Sequence, residues 1–246
     1  MNKTKVMIAL LCFNESESIS GVLSDLQKSF PWEDYTLDTY IFDNGSIDDT
    51  ESKVQDYIDK NNFTGVHYEK FEINLGYAGN GYRALNKFDN SSYDLLLIID
   101  GDGEFPLRYA ENFLISLESG NHLVLCRRKQ FSDVVIRRIG TVVFLYLCRI
   151  IVGFRGKDLN GGFRGVSRTL VQKLNGVHKG KTLNPLLYME AQRNNLSVSW
   201  IEMETQPRIS GQTFLEWERP FRMFKEGLTE LIRIRKNQFE YRFKRE

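Results

Sequence analysis

Four apolar segments in the first hundred residues each end in carboxylate or amide side chains. In "LLLIIDGDGEFP", residues 95–106, a run typical of a buried strand leads into three acids spaced by glycines. "VMIALLCFNE" and "DTYIFDNGS" end in the same way, and helical patterns follow them; "GVHYEKFEIN" and "GYAGNGYRALNKF" predict a third strand and helix. Alternating strands and helices predict an α/β domain, with a mainly parallel sheet flanked by helices.

The predicted helix starts depend on capping residues. Asn14 and Glu17 form a capping-box pattern ahead of the first helix, and Ser46 with Asp49 is typical of a cap ahead of the second. On the first helix Ile19, Val22, Leu23 and Leu26 share one apolar face.

The polar strand ends predict a ligand site. In open α/β sheets, ligands bind beyond the carboxyl ends of the strands. Each such residue alone is typical of a turn or a cap, but together they indicate one acidic, amide-rich rim. The rim residues are Asn14, Glu15, Asp43, Asn44, Asn74, Asp100 and Asp102.

The pair Asp100 and Asp102 suggests a divalent cation. Two carboxylates two residues apart can point to one side, and like charges that close are unfavourable unless they share a cation. Oxygen ligands suit Mg²⁺ or Mn²⁺, which complete their shells with phosphate oxygens and water. Gly101 and Gly103 leave room for a diphosphate near the backbone. The alternative is a solvated turn after the strand.

Composition bounds the class of protein. A chain of 246 residues with 41% hydrophobic content can form one large core, and 33 basic against 32 acidic residues give no general attraction to nucleic acid. Cys12, Cys126 and Cys148 lack metal-ligand spacing, which favours reduced core residues and a cytoplasmic location. "TVVFLYLCRIIVGF" is shorter than the roughly 20 residues of a membrane span, so no spanning helix is predicted.

The last part of the chain has a different charge balance. From Arg219 to Glu246 there are nine Lys or Arg and four Glu, around apolar residues at helical spacing. Such a basic amphipathic helix can lie on an anionic membrane surface, or it can pack on protein. "IRRIGTVVFLYLCRIIVGF" is a second candidate membrane surface.

Six segments together resemble a known family. In order and spacing they are similar to the signature blocks of family 2 glycosyltransferases with the GT-A fold, closest to the dolichol-phosphate mannosyltransferase branch. The resemblance implies a catalytic domain at residues 1–215 and a tail at 216–246. The segments are "ALLCFNESESI", "IFDNGSIDDT", "NLGYAGNGYRALN", "LLIIDGDGEFP", "DLNGGFRGVSR" and "RISGQTF".

This resemblance assigns roles to the rim residues. The metal would be held by Asp102 and Glu104, where Glu104 replaces the family's glutamine. Asn44 replaces the family's second acid, which removes one negative charge and leaves open which nucleotide base is bound. The nucleotide would be bound by Phe13, Asn14, Glu15, Asp43, Asn44, Asp100 and Gly101.

Later residues are implied to hold the sugar and the acceptor. Asp158 and Arg164 match the block placed at the sugar, and Arg208 and Thr213 match a block whose arginine clamps phosphate. Arg127 resembles a further phosphate-binding arginine. Asp102, Asp158, Arg164 and Arg208 are therefore the predicted catalytic residues, in an inverting displacement that carries a sugar from a UDP- or GDP-sugar to a polyprenyl phosphate.

The acceptor remains open between two classes. Hydroxyl-directed relatives carry an acidic pair where this chain has Asn184 and Pro185, which favours a phosphate acceptor because a phosphate needs no general base. Glu190 or Asp158 could still act as a base toward a saccharide hydroxyl. A sugar-nucleotide-binding protein without turnover is the second alternative. A dinucleotide oxidoreductase is disfavoured because "CFNESES" lacks the required glycines.

Overall fold

A seven-stranded sheet with helices on both faces forms the body of the protein. The computed structural model describes residues 3–30, 33–129, 135–156, 158, 161–174, 182–207, 228–229 and 232–233, with the backbone alone for residues 135–141 and 152. The strands are β1 (Lys5–Cys12), β2 (Thr36–Asp43), β3 (Val66–Lys70), β4 (Leu95–Asp100), β5 (Leu123–Arg128), β6 (Phe163–Ser167) and β7 (Val198–Met203). The helices are α1 (Ile19–Ser29), α2 (Thr50–Asn61), α3 (Gly76–Asp89), α4 (Ala110–Glu118), α5 (Val135–Val152), α6 (Arg168–Lys173) and α7 (Asn184–Arg193).

The central strands are apolar at every position because both faces of the sheet are covered. Alternate residues of β1 enter opposite cores: Met7 and Leu11 pack with α3, α5, α6 and α7, whereas Ile8 and Leu10 pack with α1, α2 and α4. Burying each such side chain contributes about 1.5–3 kcal/mol. The two cores hold the rim at the carboxyl ends of the strands in place.

The strand order is β3-β2-β1-β4-β6-β5-β7, and only β6 among the described strands runs antiparallel to its neighbours. The prediction of an α/β fold with a mainly parallel sheet is confirmed. The reversed strand matters for the site, since β6 begins where β4 ends: Phe163 is opposite Ile99, and the amide of Asp100 donates to the carbonyl of Gly162 at 2.9 Å. The segment before β6 is thereby brought to the rim.

The predicted helix caps are wrong in detail. α1 begins at Ile19 with Ser18 before it, and Asn14 instead adopts a left-handed backbone with φ of 55°. α2 begins at Thr50, and Asp49 at its N-cap makes no side-chain capping bond. Asn14 and Ser46 do not cap these helices, because they form hydrogen bonds between one rim loop and the next.

The apolar segment at 141–154 lies mainly in α5. Among the described residues, no helix is both long and apolar enough to span a membrane. Leu145 and Cys148 face the core, whereas Val142, Val143, Tyr146 and Ile150 are exposed. Beyond residue 207 only 228–229 and 232–233 are described, and they are helical. Most of the predicted amphipathic tail and the domain boundary at 215 lie outside the described residues, and both stay predictions.

Candidate active site

Four acids from three strand ends surround one buried thiol. Burial raises the pKa of Cys12 well above its usual value, and the negative charges of Glu15, Asp43, Asp102 and Asp100 raise it further. Cys12 ends β1 between the neighbouring strands β2 and β4, so the sheet itself gathers these carboxylates. The acids that the sequence placed at separate strand ends therefore lie around one point.

The loop after β1 is tied to the loop after β2. The Asn14 amide nitrogen donates to Ser46 Oγ at 2.8 Å, and Asn14 Oδ1 accepts from the amide of Ile47 at 3.0 Å. The amide of Glu15 donates to Thr50 Oγ1 at 2.8 Å. Phe13, before them, is 42% exposed and offers an apolar ring at this side of the rim.

Asp43 lies fully buried at the floor of this loop pair. Its Oδ1 accepts from the amide and the hydroxyl of Ser46, at 2.9 and 2.5 Å, and its Oδ2 accepts from the Tyr68 hydroxyl. Burial and then the bond to Asp43 raise the pKa of Tyr68. Ser46 therefore orients an acid rather than capping a helix.

Asn44 links the second rim loop to the third. Its Nδ2 donates to Asn74 Oδ1 at 2.8 Å and to the carbonyl of Gly76 at 3.2 Å. Its Oδ1 accepts from the amide of Leu75 at 3.1 Å and from Arg83 at 2.9 Å. A carboxylate could accept the last two bonds but could not donate the first two. The amide at position 44 therefore suits the loop that leads into α3.

Asp100 is held by neighbours on both sides. The Tyr77 hydroxyl donates to Asp100 Oδ1 at 2.8 Å, and Arg164 Nη2 lies 3.6 Å from the same oxygen. A Cβ at Gly162 would lie 2.1 Å from Asp100 Oδ2, so only glycine leaves room for this carboxylate. Gly101, the next residue, is required for a similar reason: a Cβ there would lie 2.4 Å from Cys12 Sγ.

Asp102 and Glu104 follow on the same loop. The amide of Glu104 donates to Asp102 Oδ1 at 3.0 Å, which fixes the turn between them, and Asp102 is buried. Within the described residues, no group of three or more His, Cys, Asp or Glu side chains could hold a metal ion by itself. This donor set still fits Mg²⁺ or Mn²⁺, because such ions often take one or two carboxylates and fill the other positions with phosphate oxygens and water.

A second charged cluster lies on the β5 and β6 side of Glu104. Asp158 is fully buried, and Arg128 binds both of its oxygens, Nε to Oδ2 at 2.8 Å and Nη2 to Oδ1 at 3.1 Å. Arg128 Nη1 also lies 3.7 Å from Glu104 Oε1. Burial alone would lower the pKa of Arg128, but its bonds to Asp158 outweigh that effect and the pKa is raised.

The arginine that reaches this cluster is Arg128, whereas Arg127, for which the family resemblance implies a phosphate contact, lies elsewhere. Arg127 points to the neighbouring strand β7, where its Nη1 lies 3.1 Å from Glu202 Oε2, with side chains 38% and 46% exposed. Arg128, the next residue, points to the opposite face and is 15% exposed. A phosphate-binding role for Arg127 stays a prediction, and Arg128 is the arginine in contact with the predicted site residues.

Cys126 lies beneath this second cluster. A Cβ at Gly161 would lie 1.9 Å from Cys126 Sγ, so this glycine packs directly on the thiol. Burial raises the pKa of Cys126 to about 12. All three cysteines are free and buried, which confirms their prediction as core residues.

The start of α7 contributes one amide side chain to the site. Asn184 is buried, and its Nδ2 donates to the carbonyl of Gly161 at 3.1 Å. Glu190 lies further along α7, with Oε1 3.3 Å from Arg193 Nη1, and Asn194 Nδ2 contacts its other oxygen at 3.5 Å. Burial raises the pKa of Glu190. Its described partners lie at the C-terminal end of the helix, away from Asn184.

Arg208 and Thr213 lie outside the described residues, so their roles stay predictions. Several described residues in contact with the predicted site were missed, among them Arg128 and Tyr77. Strand alternation could have indicated Arg128, since it shares the face of Cys126, but no local pattern shows that Tyr77 reaches Asp100.

Comparison with known proteins decides the family. Residues 7–174 match the family described as glycosyl transferase family 2, which is more than half of the chain. The protein belongs to glycosyltransferase family 2. The chain is 22% identical over 188 residues to CsbB of Bacillus subtilis (strain 168), which is provisionally named a glycosyltransferase; the match covers 76% of this chain and 56% of CsbB.

Other relatives of this family 2 glycosyltransferase agree with the predicted branch. It is 21% identical to undecaprenyl-phosphate 4-deoxy-4-formamido-L-arabinose transferase of Proteus mirabilis (strain HI4320), over 86% of this chain and 64% of that one. The chain thus spans less than two thirds of the length of these two relatives. The fold matches glucosyl-3-phosphoglycerate synthase from Mycobacterium tuberculosis with a TM-score of 0.68 and 19% identity, over 95% of this chain and 80% of that one. The predictions of a GT-A fold and of family 2 are confirmed.

Proposed function

We propose that this glycosyltransferase carries a sugar from a UDP- or GDP-linked donor to a polyprenyl phosphate, with inversion and with Mg²⁺ or Mn²⁺. The acceptor is supported by the Proteus mirabilis relative, whose name states transfer to undecaprenyl phosphate. The donor and the cation are supported by the Mycobacterium tuberculosis synthase of the same fold, whose crystals contain Mn²⁺ and UDP-glucose.

The observation that carries the choice of a phosphate acceptor is the engagement of Asp158 by Arg128. A hydroxyl acceptor needs a base to take its proton, whereas a phosphate is already anionic at neutral pH. Asp158 gives both oxygens to a guanidinium fork, and Glu190 pairs with Arg193 near the end of α7. Both acids considered as bases are thus committed to arginines.

The nucleoside would lie against the first rim loops, and the diphosphate would lie over Gly101. Asp102 and Glu104 would hold the cation together with diphosphate oxygens. When bound, that cation would stabilise the negative charge of the departing diphosphate. The nucleoside contacts would come from Phe13, Asn14, Glu15, Asp43, Asn44 and Asp100.

In the reaction an acceptor phosphate oxygen would form a bond to the anomeric carbon as the bond from that carbon to the diphosphate breaks. The diphosphate leaves with the electron pair, and no proton has to be removed. Arg164 would maintain positive charge beside Asp100 beneath the donor, and Arg208 would clamp phosphate. Arg127 and Thr213 are the further candidates for acceptor contacts.

Membrane delivery of the acceptor would place the enzyme on the cytoplasmic face of a membrane. The exposed apolar side chains of α5, Val142, Tyr146 and Ile150, support a surface contact, and the basic tail would add attraction to anionic lipid. Flotation with vesicles that contain anionic lipid measures this contact directly.

The test of function uses labelled UDP- and GDP-sugars with a short polyprenyl phosphate or a saccharide, in Mn²⁺ or Mg²⁺. We expect label in the lipid fraction, loss of transfer with a chelator, and a fall of about a hundredfold in Asp102→Asn. Asp59→Asn, on the exposed side of α2, is the control.

Two results would decide for the alternatives. Label found only in the saccharide would support a hydroxyl acceptor. Donor binding with neither sugar transfer nor donor hydrolysis would support a binding protein without turnover.

A further inference from the structure

Tyr77, the second residue of α3, lies between two charged side chains of the donor side. Its hydroxyl contacts Asp100 Oδ1 at 2.8 Å and also contacts Nη2 of Arg164. Arg164 is fully buried, and Nη2 makes one other bond, to the carbonyl of Gly161 at 3.1 Å. Its Nε and Nη1 have no hydrogen-bond partner among the described residues. The hydrogen bonds of this buried cation therefore depend on a single nitrogen.

The chemistry of the two neighbours fixes the direction of both bonds. A guanidinium can only donate, so the Tyr77 oxygen accepts from Arg164 and its one proton is left for Asp100. Arg164 Nη2 itself is 3.6 Å from Asp100 Oδ1, beyond hydrogen-bond distance. The tyrosine hydroxyl is therefore the hydrogen-bonded connection between the cation and the acid.

The other side of the Asp100 carboxylate is confined as well. Its Oδ2 occupies the space that a Cβ at Gly162 would need, and its backbone amide donates to the Gly162 carbonyl at 2.9 Å. The hydroxyl of Tyr77 binds Oδ1 on the opposite side. Rotation of the carboxylate would therefore either break the hydrogen bond to Tyr77 or bring Oδ2 into the backbone at Gly162.

Tyr77 is itself placed by the preceding loop. Asn44 binds Asn74, Leu75 and Gly76, the three residues just before it. Tyr77 is 47% exposed, so packing alone does not fix its side chain. Its position is defined by the bonds of Asn44 to the three residues before it and by the contacts of its own hydroxyl.

We infer that Tyr77 is a positioning residue, which holds the Asp100 carboxylate in the orientation that binds the donor nucleotide. This inference rests on the proposed function, since it assumes that Asp100 contacts a nucleoside diphosphate. Arg164 contributes through the tyrosine hydroxyl. Tyr77 itself need not touch the reacting atoms.

The test is a double-mutant cycle on nucleotide affinity, measured by calorimetry with UDP and with GDP in Mn²⁺. We expect Tyr77→Phe to weaken binding about tenfold, because it removes a hydrogen bond to a charged group. Tyr82→Phe is the matched control: Tyr82 is also on α3, and its hydroxyl donates to the carbonyl of Thr182 at 2.8 Å, away from the acids. In an Asp100→Asn background, Tyr77→Phe should cause little further loss.

Equal affinity of wild type and Tyr77→Phe would overturn the inference, and so would a loss that is fully additive with Asp100→Asn. A wild-type protein that binds neither nucleotide with any cation would count against the proposed function instead. If Tyr77→Phe does not fold, Tyr77→Leu takes its place in the cycle, because it removes the same hydroxyl and leaves the residues proposed to contact the nucleoside unchanged. Additive losses there would also overturn the inference.

Discussion

Two adjacent arginines give the sharpest test of the site, because they differ in burial and partner but not in charge. Arg128 binds fully buried Asp158 through two bonds and is 15% exposed, whereas Arg127 pairs with Glu202 at the surface. Substitution by alanine removes one positive charge in either case. Only at position 128 does it leave a buried acid without this partner.

The magnitudes follow from burial. Removing one partner of a buried ion pair costs about 3–5 kcal/mol, whereas an exposed pair contributes about 0–1 kcal/mol. In a domain of this size about 1 kcal/mol shifts the melting temperature by roughly 2–4 °C. We therefore expect Arg128→Ala to lower the melting temperature by about 10 °C and Arg127→Ala to lower it by less than about 3 °C.

Thermal denaturation at pH 7, followed by circular dichroism, measures both shifts. Combining Arg128→Met with Asp158→Asn should restore part of the lost stability, since neither side chain then carries an unpaired buried charge. Arg128→Lys should be intermediate, because it keeps the charge but loses the fork. Equal shifts for the two alanine variants would refute the assignment of Arg128, rather than Arg127, to the buried pair.

Four further predictions concern single residues. Gly162→Ala should abolish metal-dependent nucleotide binding, measured by calorimetry, because its Cβ would lie 2.1 Å from Asp100 Oδ2; unchanged affinity would contradict the close approach. Asn44→Asp should lower nucleotide affinity and the melting temperature, since a carboxylate would face the oxygens of Asn74 and Gly76 that now accept from the amide. An unchanged melting temperature would argue against a stabilising role for these two bonds. Glu190→Gln should keep transfer activity in the radiochemical assay, and its loss would restore Glu190 as a candidate base. Burial raises the pKa of Cys126 to about 12, so the folded state keeps a proton that the unfolded state releases above about pH 8.5. Between these two pH values the free energy of unfolding should fall by about 1.4 kcal/mol per pH unit. Urea denaturation from pH 8 to 9.5 should show a shallower fall in Cys126→Ser, and parallel curves for the two proteins would refute this prediction.

Sequence analysis predicted the parts of the fold whose apolar residues repeat at the short spacing of a strand or a helix. The apolar runs of β1 and β4 identify strands buried on both faces, and helical spacing identifies the buried face of α1. The reversed direction of β6 could not be predicted, because strand direction depends on the path of the chain between strands rather than on the composition of the strand. That reversal is what brings Gly162 beside Asp100.

The polar residues of the rim show a similar limit. The sequence indicated which side chains gather there, since they follow strands that end at one edge. It did not indicate what each one binds, because Asn14 and Ser46 have the composition of caps yet bond across loops more than 30 residues apart in sequence. Capping residues and loop-crossing residues are chemically the same, and only the neighbouring loop distinguishes them.

The acidic cluster itself shows how the chain tolerates like charges at close range. Like charges this close require a compensating cation, and part of that requirement is met within the protein: Arg164 lies beside Asp100, and Arg128 lies between Glu104 and Asp158. These guanidinium groups are fixed to β6 and β5, so the acids on either side of Asp102 have positive neighbours before any ligand binds. A divalent cation arriving with a diphosphate would then be attracted to the middle of the rim, because the arginines already offset charge at its two ends. The arginines thus help to decide where on the rim the cation binds, and Arg128→Ala should change the affinity for Mn²⁺, measured by calorimetry with UDP present, as well as stability.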